Sequence, residues 1–519
     1  MNASVDHDRT VVELIDKVRR HGGRLWLDGG ELRYRVPKGV LSSEDVRRFG
    51  ACRNRIVEYV QNAEVGSYVE TELPLRRAED PIPLTYSQLK YWHSRHLQDQ
   101  PTVRTVASAL RLNGPLEPKL LERGVTFLTE RHDALRTRIA VVDGEPRQFV
   151  DRSMESPFQF EDVSGPLPEP SEQTIQSLIR RLILQPILVT RGPLFVVHLA
   201  KLGARDHLLI VAMEHIISDA FSLNLLLREL RDVYAQLVQN QVPLLPALPL
   251  QYPDYALWQA RSRDAWQARH GNYWRARLGN CPRLRFPDAR CQSIQDRGAL
   301  AAHPIEFSQE IKLALTLWCR ARKTTPAMSV FAAFAALVLR WCDADDAVFP
   351  FQTDGRDIAD LRHTIGYCAT VLHLRVQMNR NDTFTDLLAR VTREYCMAYE
   401  HADHNHVAAQ LPRPEFTRNS SFNWIPHGLD GGASNWSTAQ GDISCRRVTF
   451  PHPTRQSDGL DVEPMLLLHD GPLGIVGNVY YPVDRFAPEQ IARFAESMAM
   501  FMAAMLEEPG CRIYDIPLR

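Results

Sequence analysis

The sequence predicts an α/β protein with a small α+β unit in front of it, and three observations carry that reading. Leu208-Leu209-Ile210-Val211 is an unbroken aliphatic run, the mark of a buried strand, and Leu223, Leu226, Leu227 and Leu230 follow it at helical spacing. Upstream, Leu120, Leu121, Val125 and Leu128 share one face of a helix expected over 117–130, and VVDGEPRQFV then alternates as strands do around an Asp143-Gly144 turn. Residues 1–65 repeat the mixture on a smaller scale. At 519 residues the chain is too long for one ordinary core, so two to four domains are expected.

In chain order, Val11, Val12, Leu14, Ile15 and Val18 give an apolar helical face that Gly22-Gly23 stops. RLWLDGGELRYRV then alternates on both sides of Asp28-Gly29-Gly30, which is a β-hairpin signal. Pro37-Lys38-Gly39 ends the hairpin, and Ser42 with Asp45 forms a capping-box pattern opening a helix through Val46, Phe49, Ile56 and Val60. A unit this small suits an adaptor, because a hairpin edge accepts another chain as an added strand; the plainer alternative is an extension packed on the main body. Residues 66–81, with Arg76-Arg77 and Glu79-Asp80, read as a linker.

The main body is organised around AMEHIISDAF, residues 212–221. The strand is expected to end near Met213, delivering Glu214 and His215 to its tip and Ser218 and Asp219 to a turn, with Ser222 as a possible helix cap. Imidazole titrates near neutral pH, so a histidine at a strand tip is placed for proton transfer. The alternative is a histidine that merely satisfies a neighbouring carbonyl.

Composition excludes several classes. A net charge of −1 gives no basic field for nucleic acid or anionic lipid. No apolar run approaches the ~20 residues that span a bilayer, and MNASVDHDRT has no signal-peptide pattern, so a cytoplasmic protein is expected. The nine cysteines are scattered without a CxxC pair, which supports neither a disulfide framework nor a zinc knuckle. His401, His404 and His406 lie close in sequence, but solvated loop histidines are preferred over a metal site, and no metal is expected. Cys368 has no evident base beside it and reads as buried rather than nucleophilic. Neither a phosphate loop nor a GxSxG elbow is present.

The hairpin unit resembles the tubulysin-type N-terminal docking domains of nonribosomal peptide synthetases, over most of residues 9–62. Arg24-Leu25-Trp26-Leu27, Gly29-Gly30, Leu32-Arg33-Tyr34 and Pro37-Lys38-Gly39 carry the likeness. The resemblance implies that Arg24, Trp26, Arg33, Tyr34, Arg35 and Lys38 capture the C-terminal tail of an upstream acyl or peptidyl carrier protein.

PLTYSQLKYW (83–92), RHDALRTRI (131–139), EHIISDA (214–220), YPDYALW (252–258) and IGYCATVLHLR (365–375) are similar, in order and spacing, to signatures of the condensation-domain superfamily of those synthetases. YWRARL (273–278), Gly355-Arg356 and SFNW (421–424) also fit. The resemblance covers roughly residues 82–519 and implies two chloramphenicol acetyltransferase-like lobes in a V, expected at 82–258 and 259–519. It makes His215 the catalytic residue and Glu214, Ser218, Asp219, Arg356 and Asn423 its supports. Asp219 is expected to hold the loop through an arginine, with Arg356 first and Arg136 and Arg375 as alternatives. The implied reaction passes an acyl chain from the phosphopantetheine of a carrier to an amine or alcohol, free or carrier-bound, with no cofactor held by this chain. Because no adenylation, carrier or thioesterase segment follows, a free-standing enzyme of chain release is expected. A catalytically silent scaffold and an epimerase of the same superfamily are the alternatives. Glu214 stands where the family has a first histidine, Ala220 where it has glycine and Thr370 where it has asparagine. Ala220 is expected to alter the turn, since alanine tolerates positive φ poorly.

Overall fold

The structure is a computed structural model, and it describes residues 24–28, 31–35, 45, 47, 82–96, 105–165, 171–282, 284–287, 300–356, 358–402, 420–426, 435–438, 441–448, 450, 463–471 and 474–519. Contacts divide the chain into two units, residues 1–74 and 75–519.

In the first unit, β1 (Arg24–Asp28) and β2 (Glu31–Arg35) form the expected antiparallel hairpin. Its register sets Arg24 opposite Arg35, Trp26 opposite Arg33 and Asp28 opposite Glu31. A two-residue connection between paired ends is the shortest common hairpin geometry, and Gly29-Gly30 supplies residues tolerant of positive φ. The helix expected before the hairpin, Lys38 and the 66–81 linker lie outside the described residues; of the helix expected after it, Asp45 and Arg47 are described and helical.

The second unit holds two six-stranded sheets. The first is built from β4 (Thr105–Asn113), β7 (Phe158–Asp162), β8 (Phe195–Lys201) and β9 (Asp206–Glu214), with β9 between β4 and β8. Every residue of β9 after Asp206 is buried, which is why the strand reads as a continuous apolar run instead of alternating. Helices α2 (Pro118–Arg131) and α4 (Ala220–Val238) pack beside this sheet, following α1 (Tyr86–His96) and α3 (Glu172–Ile183) in the order of the chain. A Cβ on Gly124 would approach Leu230 Cδ1 to 3.1 Å, so glycine sets how close α2 comes to α4. A three-stranded sheet of β3 (Ile82–Pro83), β6 (Glu145–Val150) and β5 (Thr137–Val142) turns at Asp143 and Gly144, both at positive φ. Leu135 and Ile139 are fully buried at its start.

The second sheet runs β10 (Leu300–Phe307), β17 (Gly474–Pro482), β16 (Met465–Gly471), β13 (Phe422–Ile425), β11 (Asp346–Thr353) and β12 (Thr370–Gln377). Its core centres on α7 (Pro326–Trp341), where Phe331 and Phe334 meet Phe349 of β11 and Phe422 of β13. Helices α6 (Gln309–Arg322), α8 (Phe384–Glu400) and α9 (Pro488–Glu507) complete that layer.

Two features tie the sheets together. Helix α5 (Tyr252–Leu278) buries Tyr252, Tyr255 and Trp258 at one end and Trp274 and Leu278 at the other, and residue 258 falls inside it. Strands β14 (Trp436–Thr438) and β15 (Gly441–Arg447) come from the second half of the chain, yet β15 pairs with β4 and extends the first sheet. Both strands are short, and their sequences carry no sign of this exchange. Among the described residues, no single helix is long and apolar enough to cross a membrane.

Candidate active site

Strand β9 ends at Glu214, and the chain turns through one 3₁₀ turn, His215–Ile217, before α4 begins. Glu214 N–H donates to Leu194 O at 2.7 Å and Ser218 Oγ donates to Glu214 O at 2.9 Å, so the turn is fastened at both ends. His215 Nδ1 lies 2.8 Å from Ser218 O. A carbonyl oxygen only accepts, so Nδ1 carries the proton and the lone pair of the neutral ring sits on Nε2. The imidazole is half-buried, with the Tyr367 ring 4.5 Å and the Tyr91 ring 6.0 Å away, centroid to centroid.

Glu214 is 1% exposed, and its Oε1 accepts from Tyr91 Oη at 2.9 Å. Tyr91 belongs to α1, which Gln88 anchors beneath the turn by donating to Ile216 O at 2.9 Å.

Asp219 caps α4; its Oδ1 accepts from Ser222 N and Ser222 Oγ, each at 2.8 Å. Ser222, expected as the cap, is instead the third helical residue and is itself held by Asp219, because the carboxylate one turn earlier offers the stronger acceptor. Ala220 opens the helix and is absent from the positive-φ residues, so alanine costs nothing there and the expected distortion of the turn does not arise.

The same carboxylate reaches the second half of the chain. Arg356 Nη1 and Nη2 donate to its two oxygens at 2.8 and 3.1 Å, and Cys368 N and Ala369 N donate to Oδ2 at 3.0 Å each. Arg356 has no exposed side-chain surface and lies over the Phe221 ring at 4.3 Å. Burial pushes the Asp219 carboxyl up, but Arg356 and the Ser222 donors outweigh it and hold it below the usual range. The alternative arginines are paired elsewhere: Arg136 with Asp133 at 2.7 Å and Arg375 with Asp346 at 2.6 Å.

The segment 365–369 is therefore pinned from the first half. Ser222 Oγ sits 2.8 Å from Gly366 O and accepts from Gly366 N at 3.1 Å, while Tyr252 Oη donates to Tyr367 O at 2.8 Å. A Cβ on Gly366 would stand 2.0 Å from the Tyr252 ring, and one on Gly355, at φ +62°, 1.9 Å from Cys368 O. Both glycines are demanded by close approach. Cys368 is buried and burial pushes its thiol up to about 12, which leaves it protonated.

Asn423 does not join this cluster through its side chain; on β13 it donates to Gln352 Oε1 of β11 at 2.7 Å. His401 is the C-cap of α8, and its Nδ1 lies 2.8 Å from His270 Nδ1, with the Tyr273 ring stacked on it at 3.9 Å. His404 and His406 lie outside the described residues. Among the described residues, no group of three or more His, Cys, Asp or Glu is set to hold a metal. Tyr91, Tyr252 and Tyr367 stand within the ordered motifs, yet the sequence gives them no role, since a tyrosine inside an apolar motif looks like core.

Residues 78–518 match the condensation-domain family, and residues 11–62 match the TubC N-terminal docking domain. The chain belongs to the condensation-domain family. The general reaction of this family of nonribosomal peptide synthetases is acyl transfer to an amine or alcohol. Among curated relatives, this condensation chain is 31% identical to a linear gramicidin synthase chain of Brevibacillus parabrevis over 327 residues, 63% of this chain and 6% of that protein. It is 28% identical to phosphinothricin tripeptide synthetase PhsC of Streptomyces viridochromogenes over 456 residues, 86% of this chain and 41% of the relative. It thus spans less than half the length of either. The starter condensation domain of rhizomide synthetase RzmA superposes with a TM-score of 0.70 at 20% identity, covering 85% of this chain and 100% of that one. The X-domain from teicoplanin biosynthesis gives 0.71 at 21% identity, over 86% of this chain and 100% of its own. Both likenesses concern the fold.

Proposed function

We propose that this condensation domain is an acyltransferase of chain release, moving a polyketide or peptide acyl group from a carrier protein to an amine or alcohol. The observation that carries the reading is the state of His215: Nδ1–H is committed to Ser218 O, so Nε2 is the basic nitrogen at the tip of a fastened turn. Catalysis by a positioned base follows. Nε2 takes the proton of the attacking N–H or O–H as the new bond forms to the thioester carbonyl carbon. The carbonyl oxygen becomes an oxyanion; as it collapses, the C–S bond breaks and the sulfur leaves with the proton returned from Nε2. Asp219 and Arg356 touch no reacting atom in this scheme and keep the turn in place.

The donor arrives on the phosphopantetheine of a carrier supplied in trans, and the chain brings no cofactor of its own. Arg24, Arg33 and Arg35 on the hairpin suit a short acidic tail added as a strand, with Trp26, Tyr34 and Lys38 as further docking residues. In this reading the enzyme works in the cytoplasm beside that carrier. Removing residues 1–65 is expected to raise KM for carrier-bound donor and leave a small thioester mimic unaffected; equal use of carrier-bound donor by both forms would exclude docking.

Intact-protein mass spectrometry tests the reaction itself. An acylated carrier is mixed with the enzyme and a panel of amines and alcohols. Loss of the acyl mass with appearance of an amide or ester supports the transferase; retention of the acyl group with every nucleophile favours the silent scaffold.

A further inference from the structure

The base is contacted from the far side of the chain by a residue with no assigned part in the chemistry. Tyr367 lies on the loop between Ile365 and Thr370, and its ring centroid is 4.5 Å from that of His215, tilted by 44°. Tyr91 closes the group, edge-on to Tyr367 at 6.4 Å and 6.0 Å from His215. Three segments separated by more than a hundred residues each thus put one ring into a single cluster.

The Tyr367 ring is delivered with little freedom. Gly366 before it donates its N–H to Ser222 Oγ, and the Tyr367 carbonyl accepts from Tyr252 Oη. Cys368 N and Ala369 N after it are held by Asp219. Tyr252 is 1% exposed and also bonded to Thr85, so it cannot swing away without breaking both contacts. This backbone is fixed on both sides of Tyr367, and Tyr367 itself is half-buried.

We propose that Tyr367 is a positioning residue for His215, its ring confining the imidazole so that Nε2 holds one direction while Ser218 O holds Nδ1. The inference rests on the reading of His215 as the base. Two physical effects favour it. A hydrogen bond at Nδ1 restrains the imidazole at one atom, and a ring packed 4.5 Å from it narrows its rotation about Cβ–Cγ further. When Nε2 has taken its proton, the imidazolium lies within the ~6 Å over which an aromatic ring attracts a cation. Both effects belong to the ring and neither needs the phenol oxygen, so phenylalanine should substitute for tyrosine and an aliphatic side chain should not.

The test compares the full chain with Tyr367→Leu, Tyr367→Phe and His215→Ala. The probe is a medium-chain acyl group on the carrier phosphopantetheine, with whichever small amine or alcohol is turned over. Tyr367→Leu is expected to lower kcat by ~10–100-fold with KM for the nucleophile within about twofold, the scale set by misplacing a reacting group by an ångström. Tyr367→Phe is expected to restore wild-type kcat. A second readout needs no turnover: with ¹³Cε1-labelled histidine, the His215 resonance, identified by its loss in His215→Ala, should move in Tyr367→Leu and stay in Tyr367→Phe. Wild-type kcat and an unmoved resonance in Tyr367→Leu would overturn the inference, as would a Tyr367→Phe variant as impaired as Tyr367→Leu. If His215→Ala itself kept wild-type turnover, the reading of the base would fall instead, and the two failures are separable.

Discussion

Strand β9 ends in a turn that carries a half-buried imidazole, while the chain leaving β11 passes Gly355 to a guanidinium with no exposed surface. The two turns meet at the Asp219–Arg356 pair. One therefore presents an imidazole whose Nδ1 is hydrogen-bonded to Ser218 O, and the other a guanidinium charge held buried against its partner. The comparison separates the work of the site. Proton transfer needs a group that changes state, whereas holding the turn needs groups that do not. The ion pair, the glycines and the pinned 365–369 loop supply the second, and the proposed scheme assigns the first to the His215 ring.

The largest effect that would test this division is at the ion pair. Asp219→Ala strands a buried guanidinium and removes the acceptor of Cys368 N and Ala369 N. The expected cost is about 3–5 kcal/mol of stability, together with loss of activity. The double variant Asp219→Ala with Arg356→Met should regain part of the melting temperature and none of the activity. Lost activity at an unchanged melting temperature in Asp219→Ala would place the carboxylate in the chemistry. The pH dependence follows the same logic. The Asp219 carboxyl is depressed in the fold, so its stabilisation is fully present above the unfolded value of about 3.9 and fades as pH falls through the lower folded value. Acid unfolding of Asp219→Asn should lack that component.

A smaller effect is expected at Gly366. Alanine there drives a Cβ into the Tyr252 ring, and such overpacking typically costs about 1–3 kcal/mol. Because the loop carries Tyr367, single-turnover rates should fall more than stability does; a variant with unchanged rate and melting temperature would show that the pinning is dispensable.

The smallest effect is expected at Glu214. Its buried carboxylate takes the Tyr91 hydroxyl, and an imidazole in its place can accept the same bond through a ring nitrogen. Glu214→His should therefore cost no more than the ~1 kcal/mol of one altered hydrogen bond, measured as melting temperature and transfer rate. Abolished transfer in a folded protein would give the carboxylate a specific task.

Much of this site was legible in the sequence, for reasons that can be named. The unbroken Leu208–Val211 run announces a strand buried on both faces, and the polar residues immediately after it mark where the chain leaves the sheet. Arg356 was readable as a partner only through the ordered motifs; nothing in the spacing distinguishes it from Arg136 or Arg375, and their own acids, Asp133 and Asp346, settle the matter in space. The cap was misread as Ser222 because serine and aspartate are both good caps and periodicity fixes a helix end only within a residue or two. The exchange of β15 onto β4 was illegible, because pairing partners more than three hundred residues apart leave no local trace. The ring of Tyr367 was hidden for the same reason: its contact with His215 is made by two long-range pinning networks and not by any pattern around either residue.

In the proposed scheme His215 Nε2 performs the proton transfer while the rest of the cluster holds it there. Single-turnover transfer from an acylated carrier by His215→Ala, read beside its melting temperature, tests this most directly. A rate lower by about 10²–10⁴-fold with the wild-type melting temperature is the expected result. A folded His215→Ala protein that transfers its acyl group at the wild-type rate would contradict it.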